Sequence, residues 1–453
     1  MRACSSNLTE RVGRSYTKFR SGVGYGICKR LLFQLSHPDP SDAHAQALLS
    51  SEDAPSPYAR ARELTLIMAC RSKSRAEAAR NQLLQEFDDE LARRRRSDQL
   101  LADYSDAFRD ALRVDIVLLD ISDIRSVFTF CENVRQNYPY VTHVVLNAAM
   151  ACFIGIKWFK VLPEVLQKGY VAFYRPRFTI QSVSPMTKDG LGAVWTANVL
   201  SPYILIKRLR PSLQAAPFDS ARILWMSSLE AMRDVCADDI MSDYQLTTGT
   251  GSYEMSKYQI SLLAPELQHR ENQLDDVKQP HAAVKHILVH PGITSSNIYA
   301  AVLGTILMFG MDLAFYLARL AGSPYHIISA FNAALSATHI ILTSLLNIKE
   351  QDQQDQPVMF GARCDRLGRP FVGTDPVDEW EANRHLGGQI ADQCERLYAA
   401  FEKKFERGEL KPTTLVNGNS NGSVGGKANG KTNGHANGVV DASEEREVDT
   451  VLS

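Results

Sequence analysis

The sequence predicts an α/β fold, a doubly wound parallel sheet, on three observations. Short continuous apolar runs recur along the chain, helical stretches separate them, and 453 residues with 45% apolar content can bury one large core plus appendages. Strands of a parallel sheet are covered on both faces, so they read as unbroken apolar runs, not as alternation.

The elements follow in order. Residues 26–35 read as the helix after a first strand, and 64–70 (LTLIMAC) as a buried strand. Residues 75–90 read as a crossover helix, and further strands are expected at 115–119, 142–146, 221–226 and 284–289. Three insertions interrupt the frame. Residues 36–62 are rich in Pro, Ser, Asp and Ala and read as a surface loop. The Arg93–Arg96 run reads as a solvated helical face or, alternatively, an import signal. Residues 152–186 carry Trp158, Phe159, Tyr170, Phe173, Tyr174 and Phe178, suited to a pocket mouth, a membrane-facing surface or a satellite core.

Residues 298–347 are the most apolar region. The stretch 298–320 has only Asp312 and Arg319 as charges, which allows a spanning helix, a monotopic hairpin or a substrate lid. A C-terminal extension occupies 348–415. The Asn/Gly-rich composition of 416–453 cannot bury enough apolar surface to offset ordering entropy, so disorder is expected there.

Net charge of −1 gives no global field for nucleic acid. Eight cysteines are scattered without a CxxC, which favours reduced thiols, and no metal-ligand spacing stands out. The N-terminus lacks the apolar core of a secretory signal.

Chemistry concentrates in Asn198, Ser228, Tyr253 and Lys257. Tyr253 and Lys257 stand four apart in Gly251-Ser252-Tyr253-Glu254-Met255-Ser256-Lys257, so a helix presents them on one face. There the ammonium is expected to lower the phenol pKa and fit it for proton transfer to a carbonyl oxygen. After the second strand, Cys70-Arg71-Ser72-Lys73 contains no acid, which favours a 2′-phosphate at Arg71 and hence NADPH.

Together these segments resemble the short-chain dehydrogenase/reductase family, with its Rossmann-like fold, over residues 21–297. Leu146-Asn147-Ala148-Ala149 is similar to the segment lining the adenosine side of the cofactor, and Asp120 to the acid that contacts adenine. Asn198 is similar to the helix asparagine that holds a relay water, and Ser228 to the serine that hydrogen-bonds the substrate oxygen. His290-Pro291-Gly292-Ile293 is similar to the turn whose backbone meets the nicotinamide, which adds Ile293 and Ser295 to the cofactor set. Gly22, Val23 and Gly24 match the second half of the phosphate loop.

The upstream half departs from the pattern. Lys18 stands where the first glycine belongs, and residues 7–14 contain nothing like an apolar first strand. Two readings stay open: residues 1–20 are a misassigned start, or the chain is a natural variant. In both, weak dinucleotide binding is expected, with the first strand missing.

Ser227-Ser228-Leu229-Glu230-Ala231, Gly22-Val23-Gly24-Tyr25-Gly26-Ile27-Cys28, the aromatic insertion and the apolar region after the turn are similar to the fungal sterol-ketone reductases of ergosterol biosynthesis. That resemblance implies NADPH-dependent reduction of a 3-keto-sterol to the 3β-hydroxysterol. It also implies the cytosolic face of the endoplasmic reticulum membrane, or a lipid droplet, and the other sterol C-4 demethylation enzymes as partners. The alternatives are a reductase of another bulky lipid carbonyl and a catalytically silent scaffold in a membrane sterol-enzyme complex.

Overall fold

A computed structural model describes residues 2–4, 22–44, 63–96, 99–218, 220–231, 240–275, 282–295, 300–343, 348 and 356–410. The expectations for Lys18 and its surroundings, for residues 45–62 and for the 416–453 tail lie outside the described residues.

A short strand β1 (Arg2–Cys4) leads to helix α1 (Val23–Leu35), then β2 (Leu64–Cys70), α2 (Lys73–Arg95), α3 (Gln99–Asp110), β3 (Leu112–Leu118), α4 (Ile124–Asn137) and β4 (His143–Leu146). The aromatic insertion is a hairpin, β5 (Phe153–Ile156) and β6 (Thr179–Gln181), enclosing helix α5 (Trp158–Lys168) and a 3-10 turn. Next come α6 (Ala193–Trp195), a π turn (Thr196–Leu200), α7 (Ser201–Gln214), β7 (Ser220–Met226), α8 (Ser252–Asp275) and β8 (Ala283–His290). The apolar region forms α9 (Ala300–Leu320), α10 (Ala330–Ala333) and α11 (Leu335–Leu342). The C-terminal extension contributes β9 (Val358–Cys364), β10 (Pro370–Pro376) and α12 (Trp380–Glu406).

Two sheets abut where β1 meets β4: a three-stranded one in the order β1-β2-β3, and a five-stranded one in the order β10-β9-β8-β7-β4. All pairs are parallel except β9 with β10. Every residue of β2 is buried except Thr65, as its unbroken apolar sequence demands. One apolar cluster joins α4, α7, α8 and α12 to one face; the other joins α1, α2, α11 and β9 to the opposite face. The winding is therefore double.

One expectation is corrected. The first strand is present, supplied by Arg2–Cys4 in register with Leu66–Met68 of β2. Three residues are too few to show periodicity, and none of them is the Val, Ile or Leu that the position normally carries.

Other departures concern the insertions. Arg93, Arg94 and Arg95 close the last turn of α2, where cations meet the negative end of the helix dipole. Arg94 reaches back to the carbonyl of Phe33 and Arg95 pairs with Asp106, so the run ties elements together. Among the described residues no helix is long and apolar enough to cross a membrane. Helix α11 is core, buried along its whole length, whereas α9 leaves Phe309, Leu313, Tyr316, Leu317 and Leu320 exposed.

α1 sits against α10 so closely that a Cβ on Gly26 would stand 2.2 Å from the carbonyl oxygen of Ala330. Backbone cannot retreat as a flexible side chain can. Gly26→Ala is expected to destabilise the fold by about 2 kcal/mol or more, read as a lower denaturation midpoint with an unchanged m-value; an unchanged midpoint contradicts this packing.

Candidate active site

Strands β2, β3, β4, β7 and β8 end at one edge of the sheet, and nearly every residue singled out from the sequence stands there: Arg71 after β2, Asp120 after β3, Asn147 after β4, Ser228 after β7, and Ile293 and Ser295 after β8. Open α/β sheets bind ligands in this crevice outside the carboxyl ends of their strands.

Helix α8 carries Tyr253 and Lys257 on one face, and the Lys257 ammonium nitrogen lies 5.7 Å from the centre of the Tyr253 ring. Lys257 is buried, and its Nζ donates to the carbonyl of Met226, the last residue of β7, at 2.7 Å. Burial pushes its pKa down to about 8. Ser227 tightens the same joint, its hydroxyl 2.8 Å from that of Ser261 on α8. Strand end and helix are thereby held in register, and Ser228 neighbours the phenol closely enough to favour its ionisation.

The phenol itself differs from expectation. Burial first, then the neighbouring Glu230 carboxylate, push the Tyr253 pKa above the ordinary phenol range, with only the Ser228 contact acting the other way. Desolvation disfavours the charged phenolate and outweighs the Ser228 contribution. At neutral pH Tyr253 is a protonated donor.

The Asn198 side chain has a structural task. Pro202 has no N–H to give to the Asn198 carbonyl four residues earlier, and the helix widens there into the π turn, closed by Ser201 N–H on the Thr196 carbonyl. The buried Asn198 side chain accepts from Met150 N–H at 2.7 Å and donates to the Met150 carbonyl at 2.9 Å and to Ser256 Oγ at 2.8 Å. Both amide hydrogens are thus committed to protein, so the side chain fixes the chain after β4 against α8; it does not hold a water through its Nδ2.

The cofactor set fits a dinucleotide at one end. Gly22 caps α1 with extended backbone and open space around its Cα, and the first turn of α1 contains no carboxylate, as an anion site at a helix N-terminus requires. Val23 and Gly24 continue that turn. Asn147 lines a crevice with Ala69, Leu119, Ile121, Leu146 and Ala148. Arg71 is exposed, immediately after β2. The Asp120 carboxylate already accepts from Ser122 N–H and Oγ–H, which shapes its own turn.

At the other end the turn after β8 is occupied. Ile293 N–H donates to the Tyr325 carbonyl, Ile328 N–H to the Ile293 carbonyl, and Ser295 N–H to the Ile328 carbonyl. The backbone groups expected to meet a nicotinamide are bonded to residues 325–328 instead.

Other contacts at the site were not readable from the sequence. Glu254, buried beside Tyr253, accepts from the Gln181 amide; Phe153 faces the Tyr253 ring; His290, fully buried, bonds Asp375 of β10 at 2.8 Å. Glu254 and Ser256, both within three residues of Tyr253, lay within reach of local reasoning.

A serine, a tyrosine and a lysine gathered at the carboxyl edge of a doubly wound parallel sheet define a short-chain dehydrogenase/reductase. No family model matches the sequence. The 3-keto-steroid reductase of Saccharomyces cerevisiae is 30% identical over 253 residues, 56% of this chain and 67% of that protein. That of Candida albicans is 30% identical over 257 residues, covering 57% and 68%. That of Schizosaccharomyces pombe is 29% identical over 362 residues, covering 80% and 89%. The chain belongs to this family of 3-keto-steroid reductases. Solved structures are more distant: an L-sorbose reductase from Gluconobacter frateurii aligns with a TM-score of 0.40 at 11% identity, covering 75% of this chain and 89% of that one.

The site predicts an unusual amine. With the full chain labelled with carbon-13 lysine and the Lys257 signal assigned through Lys257→Arg, its titration midpoint is expected near pH 8, not 10.5; a midpoint at the ordinary value contradicts the burial.

Proposed function

We propose that this chain is an NADPH-dependent oxidoreductase that reduces a 3-keto-sterol to the 3β-hydroxysterol in ergosterol biosynthesis. The observation that carries this reading is the contact of Ser228 and Lys257 with one protonated phenol, in a chain whose relatives are named 3-keto-steroid reductases. The names of those relatives favour neither a different lipid carbonyl nor a silent scaffold.

Gly22, Val23, Gly24, Arg71, Asp120 and Asn147 would hold the nucleotide end of NADPH, with Lys257 toward its nicotinamide ribose. The absence of any acid from residue 70 to 73 favours the 2′-phosphate form. Bound NADPH supplies the hydride. Ser228 donates a hydrogen bond to the ketone oxygen and orients it. Tyr253 gives its proton to that oxygen as negative charge develops, and its high pKa keeps the proton available until then. Below pH about 8 Lys257 is an ammonium, and its charge stabilises the phenolate that remains. Asn198 fixes the geometry of the strand and helix that carry these groups.

Access for a membrane-dissolved substrate is supported by the surface. On α5, Trp158, Phe159, Leu162 and Leu166 form one exposed stripe, with Phe159 76% and Leu166 78% exposed. The exposed stripe of α9 belongs to the same region, since α9 packs on β5 and on the 3-10 turn after α5. Apolar faces of this size suit the interfacial layer of a bilayer. This reading places the protein on the cytosolic face of the endoplasmic reticulum membrane or a lipid droplet, beside the other sterol C-4 demethylation enzymes.

Tyr253→Phe is expected to lower turnover of a 3-keto-sterol about a hundredfold or more with the melting temperature unchanged; full activity in a folded variant refutes the proton-donor role. For the surface, Phe159→Glu combined with Leu166→Glu is expected to abolish flotation of the chain with phosphatidylcholine–phosphatidylserine vesicles. Flotation equal to the parent chain rejects this membrane face.

A further inference from the structure

The inserted hairpin is tied to the catalytic tyrosine at both of its ends. Its entry follows Met150, whose N–H and carbonyl are both held by Asn198, and Asn198 also bonds Ser256, which donates to the Tyr253 carbonyl at 2.7 Å. Its exit is Gln181. That buried amide donates to both carboxylate oxygens of Glu254, at 2.7 Å to Oε1, and its oxygen accepts the Tyr253 N–H at 3.4 Å.

Phe153 and Gln181 stand directly opposite each other across the β5–β6 pair, so their side chains leave the same face of the hairpin. From that face one grips the backbone at Tyr253 and the other lies against its ring. The ring centroids are 5.8 Å apart and the planes tilted by 57°, an ordinary attractive aromatic geometry. The position of the Phe153 ring is therefore set by the same contacts that set the phenol.

We propose that Phe153 is a specificity-determining residue, a fixed aromatic wall beside the proton donor that selects flat fused-ring ketones over small ones. This rests on the reading of Tyr253 as the proton donor to a ketone. A ketone whose oxygen lies at Tyr253 must place its adjoining rings next to this wall. A rigid polycycle buries a broad apolar face there; a single small ring has too little surface to gain from it. Selectivity in an apolar pocket is a difference in such burial, and even one methylene is worth tenfold or more. Gln181 acts through the hairpin as a positioning residue, holding the wall at its distance from the phenol. Because α5 rises from the same hairpin, the wall also links the exposed apolar surface to the reacting group.

The test uses the full chain with NADPH and two ketones, a 3-keto-steroid and cyclohexanone. The readout is the ratio of their kcat/KM values. Phe153→Ala is expected to lower that ratio about tenfold or more, with Phe153→Leu between the two. Gln181→Leu is expected to lower it as well, in the same direction. The Phe153→Leu variant keeps most of the side-chain volume, so the comparison survives if the alanine variant does not fold. A ratio that stays within about twofold of the parent, whether both values fall together or neither moves, overturns the proposal. If that happens while Tyr253→Phe is inactive on both ketones, the reductase reading stands and the wall alone is rejected. If the parent chain reduces neither ketone, both fail.

Discussion

The burial of the Lys257 amine on the carbonyl of Met226 is the constraint on which the site depends. It joins the end of β7 to the first turns of α8. An amine taken out of water without a partner is costly, so the contact is enforced by the same desolvation that lowers its pKa. Ser228 and Tyr253 meet because the segments that carry them are clamped here.

Burial also decides the protonation states. A phenol and an amine enclosed together are both pushed toward neutrality, the phenol upward and the amine downward. For a reductase this is the useful direction, since the phenol must hold a proton until the ketone oxygen can accept it. The simple picture of an ammonium acidifying a phenol treats both groups as though in water. Inside the protein the desolvation of the phenolate sets the direction, and Glu230 adds to it.

How much was legible follows from the range of each interaction. Tyr253 and Lys257 are readable because a helix converts a spacing of four into proximity. The strands 64–70, 221–226 and 284–289 are readable because burial on both faces leaves an unbroken apolar run, and the observed β2, β7 and β8 agree within a residue. Strand β1 escaped because three residues carry no pattern, and β9 and β10 because Gly361 and Gly373, with prolines at both ends of β10, break theirs. The Gln181–Glu254 contact spans 73 positions and His290–Asp375 spans 85, separations that only tertiary packing closes. The occupied turn at Ile293 and Ser295 was hidden for the same reason: its partners at Tyr325 and Ile328 belong to a segment that looked, from composition, like part of an apolar appendage.

The most direct test of this account is label transfer. The full chain is incubated with a 3-keto-sterol and NADPH carrying deuterium on its reactive nicotinamide carbon, and the product is analysed by mass spectrometry and proton NMR. The account predicts a 3β-alcohol with one deuterium on the new carbinol carbon. Binding of NADPH and of the sterol without any labelled alcohol would contradict it.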